Sequence, residues 1–112
     1  MSAITTHVLD TSIGRPAAGI QVELHRKSGE NWQHVGKGTT DANGRCNNLM
    51  GEGQPEVGMY RLVFHAAAYY GLLRTETFYS EIPVIFEVRE TSAHYHVPLL
   101  LNPFGYSTYR GS

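Results

Sequence analysis

The sequence predicts an all-β domain, a sandwich or barrel, and three features carry that expectation. Short runs alternate apolar and polar residues with a period of two. Turn-forming residues separate these runs at short intervals. Only one segment, residues 66–73, has the alanine-rich composition that favours a helix.

The elements follow in order. Residues 7–10, His-Val-Leu-Asp, belong to the first apparent strand, which Gly14-Arg15-Pro16 breaks. In residues 20–24, Ile20, Val22 and Leu24 share one face of a half-buried strand. Asp-Ala-Asn-Gly at 41–44 has the chemistry of a tight connection, and residues 51–55 mark a looser loop. Tyr60, Leu62 and Phe64 repeat the alternation. After the short helix expected over 66–73, residues 83–88 and 95–101 form two further strands rich in β-branched or large apolar side chains. Asn102-Pro103 then turns the chain and Gly105 restarts it. The tail from 103 to 112 carries two tyrosines, Tyr106 and Tyr109, and sets Tyr109 beside Arg110. It is expected to dock rather than fray, with a plain edge strand as the simpler alternative.

Composition narrows the function classes. At 112 residues, one domain spanning 1–112 is expected, large enough to bury roughly two-thirds of its unfolded surface without staples. Hydrophobic residues at 41% and charged residues at 17% exclude disorder and coiled coil. Nine Lys+Arg against ten Asp+Glu, with no basic run, argue against nucleic acid as a partner. Cys46 is the only cysteine, so the fold does not depend on an oxidising compartment. No apolar stretch approaches the roughly 20 residues that span a bilayer, so no membrane partner is expected. Residues 1–7 resemble no secretory signal, and Arg-Gly-Ser is not the Ser-Lys-Leu peroxisomal address. A cytoplasmic protein is the expectation.

Six histidines is a high count for this length. His94 and His96 are two apart in an expected strand and so project from one face, while Tyr95, Val97 and Leu99 point the other way, towards a core. Such a pair could bind a metal, act as a base, or simply sit exposed, and spacing does not choose among these. No third ligand lies nearby in sequence to complete a metal site. His7 could be an ordinary strand histidine, and Arg45, just after the Asn43-Gly44 turn, an ordinary solvated arginine. His25, His34 and His65, in or beside strands, are assigned no catalytic role.

The opening His7-Val-Leu-Asp10, with Gly14-Arg-Pro-Ala-Ala-Gly19, resembles the transthyretin family. His94-Tyr-His-Val-Pro-Leu-Leu-Leu101 and the terminal Tyr109-Arg-Gly-Ser112 resemble its enzymatic branch, the 5-hydroxyisourate hydrolases. The likeness runs from Thr6 to Ser112, and the terminal Tyr-Arg-Gly-Ser is its most specific part. The resemblance implies a two-sheet β-sandwich with one short helix, assembled as a homotetramer with active sites at the interface between dimers. It implies hydrolytic opening of the six-membered ring of 5-hydroxyisourate to 2-oxo-4-hydroxy-4-carboxy-5-ureidoimidazoline, a step of urate degradation. The catalytic set carried over is His7, Arg45, His96 and Ser112, with Tyr109 and Arg110 helping to shape the substrate pocket. No metal or other cofactor is needed in this scheme. The alternative is a transthyretin-like carrier that holds a small ligand without turning it over.

Overall fold

The computed structural model describes residues 2–112. The first strand, β1 (Ile4–Asp10), forms from β-branched residues and turns Ile4, Thr6, Val8 and Asp10 inward, each fully buried. A short β2 (Arg15–Pro16) runs back along its end. Then follow β3 (Gln21–Ser28) and β4 (Asn31–Thr39), joined by a hairpin in which Gly29 has a positive φ of 63°. Next come β5 (Arg45–Cys46), β6 (Gly58–Phe64) and the helix α1 (Ala66–Leu72). The chain closes with β7 (Ile82–Val88), β8 (Tyr95–Asn102) and β9 (Gly105–Thr108).

These strands make two sheets. One has the order β2-β1-β8-β9, with β5 also paired to β1; the other has the order β4-β3-β6-β7. Between them lies an apolar core in which Ile20, Val22, Leu24, Leu62, Phe64 and Leu99 are inaccessible to solvent. The alternation expected for 20–24, 59–64 and 95–101 is therefore the alternation observed, because each strand has one face on this core. At roughly 1.5–3 kcal/mol per buried large apolar side chain, the core is the main source of stability.

The helix forms where the alanines predicted it; near its start the Ala67 N–H donates to the Ser80 carbonyl at 2.9 Å, and its last turn closes locally, the Leu73 N–H donating to the Tyr70 carbonyl at 3.1 Å. Its buried Tyr69 donates a hydrogen bond of 2.8 Å to Asp10 Oδ2, and burial followed by this bond raises the Tyr69 pKa. Asp10 also accepts from the Ser12 backbone N–H at 3.0 Å. The last residue of the His-Val-Leu-Asp motif is thus an architectural anchor that locks β1 to α1. No helix among the described residues is long and apolar enough to cross a membrane.

Candidate active site

The site is built on β1 and the two strands that flank its first half. β8 runs parallel to β1, with Thr5 opposite His96 and His7 opposite Pro98. On the other edge β5 runs antiparallel, with His7 opposite Arg45. Paired residues on neighbouring strands share a face, so Thr5, His7, Arg45 and His96 all project from the outer side of this sheet. His94, two residues before His96, joins them.

Local chemistry places each member. Arg45 follows a turn in which Gly44 adopts φ +76°, a conformation that an L side chain rarely takes. A Cβ on Gly44 would also stand 2.3 Å from the Val8 carbonyl oxygen. Asp41 Oδ1 accepts from the backbone N–H of Arg45 at 3.0 Å and of Asn43 at 2.8 Å. These bonds hold the Asp41 carboxyl below its ordinary pKa, the Arg45 bond contributing most. The Asp-Ala-Asn-Gly turn is therefore what delivers Arg45 to the side of His7.

His96 is the centre of the arrangement. Its Nδ1 lies 2.8 Å from Thr5 Oγ1, and its backbone carbonyl accepts from the Gly111 N–H at 2.8 Å. Burial pushes its pKa below the ordinary 6.5, and the electrostatic influence of His7, Arg45 and His94 works in the same direction. The neutral imidazole therefore predominates at neutral pH, as a base requires. If His96 accepts a proton in the reaction, the acid limb of the kcat/KM profile falls below pH 6.5. Arg45→Ala, which removes one of the groups that lower this pKa, shifts that limb upward. A pH–rate series on both proteins checks the direction.

The tail reaches His96 by continuing the β8–β9 pairing. Leu99 faces Thr108, and the same register returns as a bridge between His96 and Gly111. Between them Tyr109 comes opposite Pro98, which has no N–H to offer, and the ladder lapses there. Gly111 is a glycine for want of space, since a Cβ would stand 2.7 Å from His96 Cδ2 and 3.2 Å from Pro98 Cγ. Gly111→Ala is expected to displace the ring or the tail and lower turnover by about a hundredfold, the usual penalty of an ångström-scale misplacement. Its thermal melting should change little, and the two measurements together check the prediction.

Thr5, Arg45, Asn47, His94, His96 and Ser112 line an open depression of about 180 Å³. His7 stands beside it, within electrostatic reach of His96. Tyr109 and Arg110 lie elsewhere in this chain. They line a separate, mostly apolar groove of about 200 Å³ with Phe86, Tyr95 and Thr108, to which His96 also contributes. There the Arg110 guanidinium carbon sits 4.7 Å from the centre of the Tyr95 ring. Of the residues expected at the site, the fold gathers His7, Arg45, His96 and Ser112, and sets Tyr109 and Arg110 apart. Thr5 and Asn47 carry no sequence motif of their own. Strand parity is the signal that finds them, because Thr5 is two before His7 and Asn47 two after Arg45.

Two other groups of reactive side chains have structural explanations. Cys46 faces the core, and burial raises its thiol pKa, which is unfavourable to a thiolate nucleophile. On the outer face of the other sheet, beside a wider depression of about 630 Å³, Glu23, His25 and His34 bring potential ligand atoms within 4.8 Å of one another. Arg61, however, donates to His25 Nδ1 from Nε at 3.2 Å. The neutral ring must then carry its proton on Nε2, the nitrogen 3.4 Å from Glu23 Oε1. Glu23 also takes a 2.6 Å contact from His65 Nε2, which is the largest cause holding its carboxyl pKa down. As arranged, these groups satisfy one another and leave His25 no lone pair for a metal.

The architecture, two sheets with a short helix and a histidine-rich outer face at β1 and β8, defines a transthyretin-type β-sandwich with a polar site. Residues 4–111 match the model of the HIUase/transthyretin family, and the chain belongs to that family. It is 43% identical over 109 residues to a 5-hydroxyisourate hydrolase of Salmonella typhi, covering 97% of this chain and 80% of that protein. Among solved structures it resembles Klebsiella pneumoniae 5-hydroxyisourate hydrolase, with a TM-score of 0.85 and 31% identity over 97% of this chain and 98% of that one. It also resembles sea bream transthyretin in complex with thyroxine, with a TM-score of 0.91 and 32% identity over 97% and 94% of the two chains.

Proposed function

We propose that the protein hydrolyses 5-hydroxyisourate in urate degradation, with His96 as general base. The observation that carries this reading is the setting of His96. One ring nitrogen is bonded to Thr5, and the pKa is lowered by burial and by His7, Arg45 and His94. His96 accepts a proton from water as the water oxygen attacks the ring carbonyl. The tetrahedral intermediate collapses with cleavage of the adjacent C–N bond, and His96 returns the proton to the leaving nitrogen. Arg45, permanently cationic and planar, binds the polar edge of the substrate and the developing oxyanion. His7 orients the substrate beside it, and Ser112 closes the depression from the tail side.

Overall shape does not separate hydrolysis from carriage, since the thyroxine-bound transthyretin superposes more closely than the hydrolase, 0.91 against 0.85. The site chemistry favours hydrolysis. A carrier has no use for a base of lowered pKa beside an arginine, and the Salmonella relatives at 43% identity are named as hydrolases. The depression of about 180 Å³ is smaller than typical ligand pockets of about 300–1,000 Å³. We therefore place the working site between copies of this chain in a homotetramer, at the interface between dimers, with one hydrolase domain per chain. The cytoplasm is the compartment assigned to it, in keeping with a fold that uses no disulfide.

The test is an ultraviolet assay on 5-hydroxyisourate freshly generated by urate oxidase, with and without the protein and with chelator in parallel. Decay faster than the spontaneous rate and indifferent to chelator is expected. Decay at the spontaneous rate with folded protein would overturn the reading in favour of a carrier.

A further inference from the structure

We infer that Thr5 and His94 form a hydrogen-bond relay that fixes the tautomer of His96, holding its proton on Nδ1 and leaving Nε2 free as the basic nitrogen. This rests on the hydrolase reading for the direction of the relay and for its kinetic consequence, although the tautomer itself can be observed without substrate. The Thr5 hydroxyl lies 2.8 Å from His96 Nδ1 and 3.3 Å from His94 Nε2, and Thr5 is 2% exposed. A single hydroxyl has one proton to donate, so its two histidine contacts cannot both be acceptors from it.

Only one direction of the relay suits a base. If Thr5 donates to His96 Nδ1, the neutral imidazole must carry its proton on Nε2, which then has no lone pair for water. If His96 donates from Nδ1, Thr5 accepts, and its own proton turns to His94 Nε2. His94 therefore acts by occupying the Thr5 proton, and neither residue touches the reacting atoms. Both are positioning residues. The neighbouring Thr6 offers a contrast on the same strand, since its hydroxyl donates to the Val97 carbonyl at 2.6 Å on the buried side and touches no histidine.

The experiment combines nitrogen-resolved imidazole NMR with steady-state kinetics on wild type, Thr5→Val, Thr5→Ser and His94→Phe. Wild type should show His96 protonated on Nδ1 once neutral. Thr5→Val, close in shape but without the hydroxyl, should give mixed tautomers and lower kcat roughly tenfold to a hundredfold, with KM nearly unchanged. His94→Phe should shift the proton of His96 towards Nε2, and Thr5→Ser should restore both spectrum and rate. Thr6→Val serves as the structural control, expected to lower melting without changing the tautomer. A wild-type His96 protonated on Nε2, or a Thr5→Val protein with wild-type kcat, would overturn the relay. A wild type with the expected tautomer but no turnover would instead overturn the hydrolase reading and leave the relay standing.

Discussion

His96→Ala is expected to lower turnover of 5-hydroxyisourate at least a hundredfold while the sandwich remains folded, the rate loss being that of a general base. The fold survives because His96 faces outward; its chain neighbours Tyr95 and Val97 are the buried ones. The stability cost should stay near 1 kcal/mol, the range of substitutions that make no core cavity. The alanine variant has one ambiguity, since Gly111 packs against the imidazole and loses that support. His96→Gln resolves it, because the amide keeps the bulk but has no useful basicity. If both variants lose turnover to the same degree, proton transfer is what the ring supplies. If glutamine restores most of the rate, the ring is a spacer for the tail and the base must be sought at His7.

What the sequence disclosed and what it hid follow from the range of the interactions involved. Strands with one buried face announce themselves, as at Tyr60, Leu62 and Phe64, because the core imposes a period of two on neighbouring residues. β4 carries no such pattern. Asn31–Thr39 is mostly polar, holds Gly36 and Gly38, and lies at a sheet edge with none of its residues buried. Its strand character comes from pairing with β3 instead of from its own composition. β2 and β5 are two residues each, too short for any period to show. The site was hidden for a related reason. Thr5 and His96 meet through a parallel register between the two ends of the chain, and no local signal marks which residues will be opposite. Motif resemblance supplied His7, Arg45, His96 and Ser112, but motifs are silent on sides. Nothing in the motif told that Tyr109 and Arg110, two residues and one before Gly111, line a different groove from Ser112 in this chain.

Removing residues 109–112 is expected to bring turnover close to the spontaneous rate while the protein remains folded. Truncation takes away the Gly111 hydrogen bond to the His96 carbonyl and the Arg110 guanidinium that lies over the Tyr95 ring. A net hydrogen bond contributes about 1 kcal/mol and an exposed cation–π contact about 0.5–1 kcal/mol. Tyr109 is 58% exposed and adds little burial. The four residues of β9 remain paired to β8, and Thr108 still donates to the Pro98 carbonyl at 2.7 Å. A destabilisation of roughly 1–2 kcal/mol therefore follows, small against the 5–15 kcal/mol of a typical domain. The site suffers far more, because Ser112 lines the depression and Gly111 backs the His96 ring. Thermal melting beside the ultraviolet assay separates the two effects, and Ser112→Ala then divides the serine hydroxyl from the backbone of the tail. A truncated protein that melts slightly lower and turns over normally would reduce the tail to an edge strand, leaving catalysis to the outer face of β1, β5 and β8 alone.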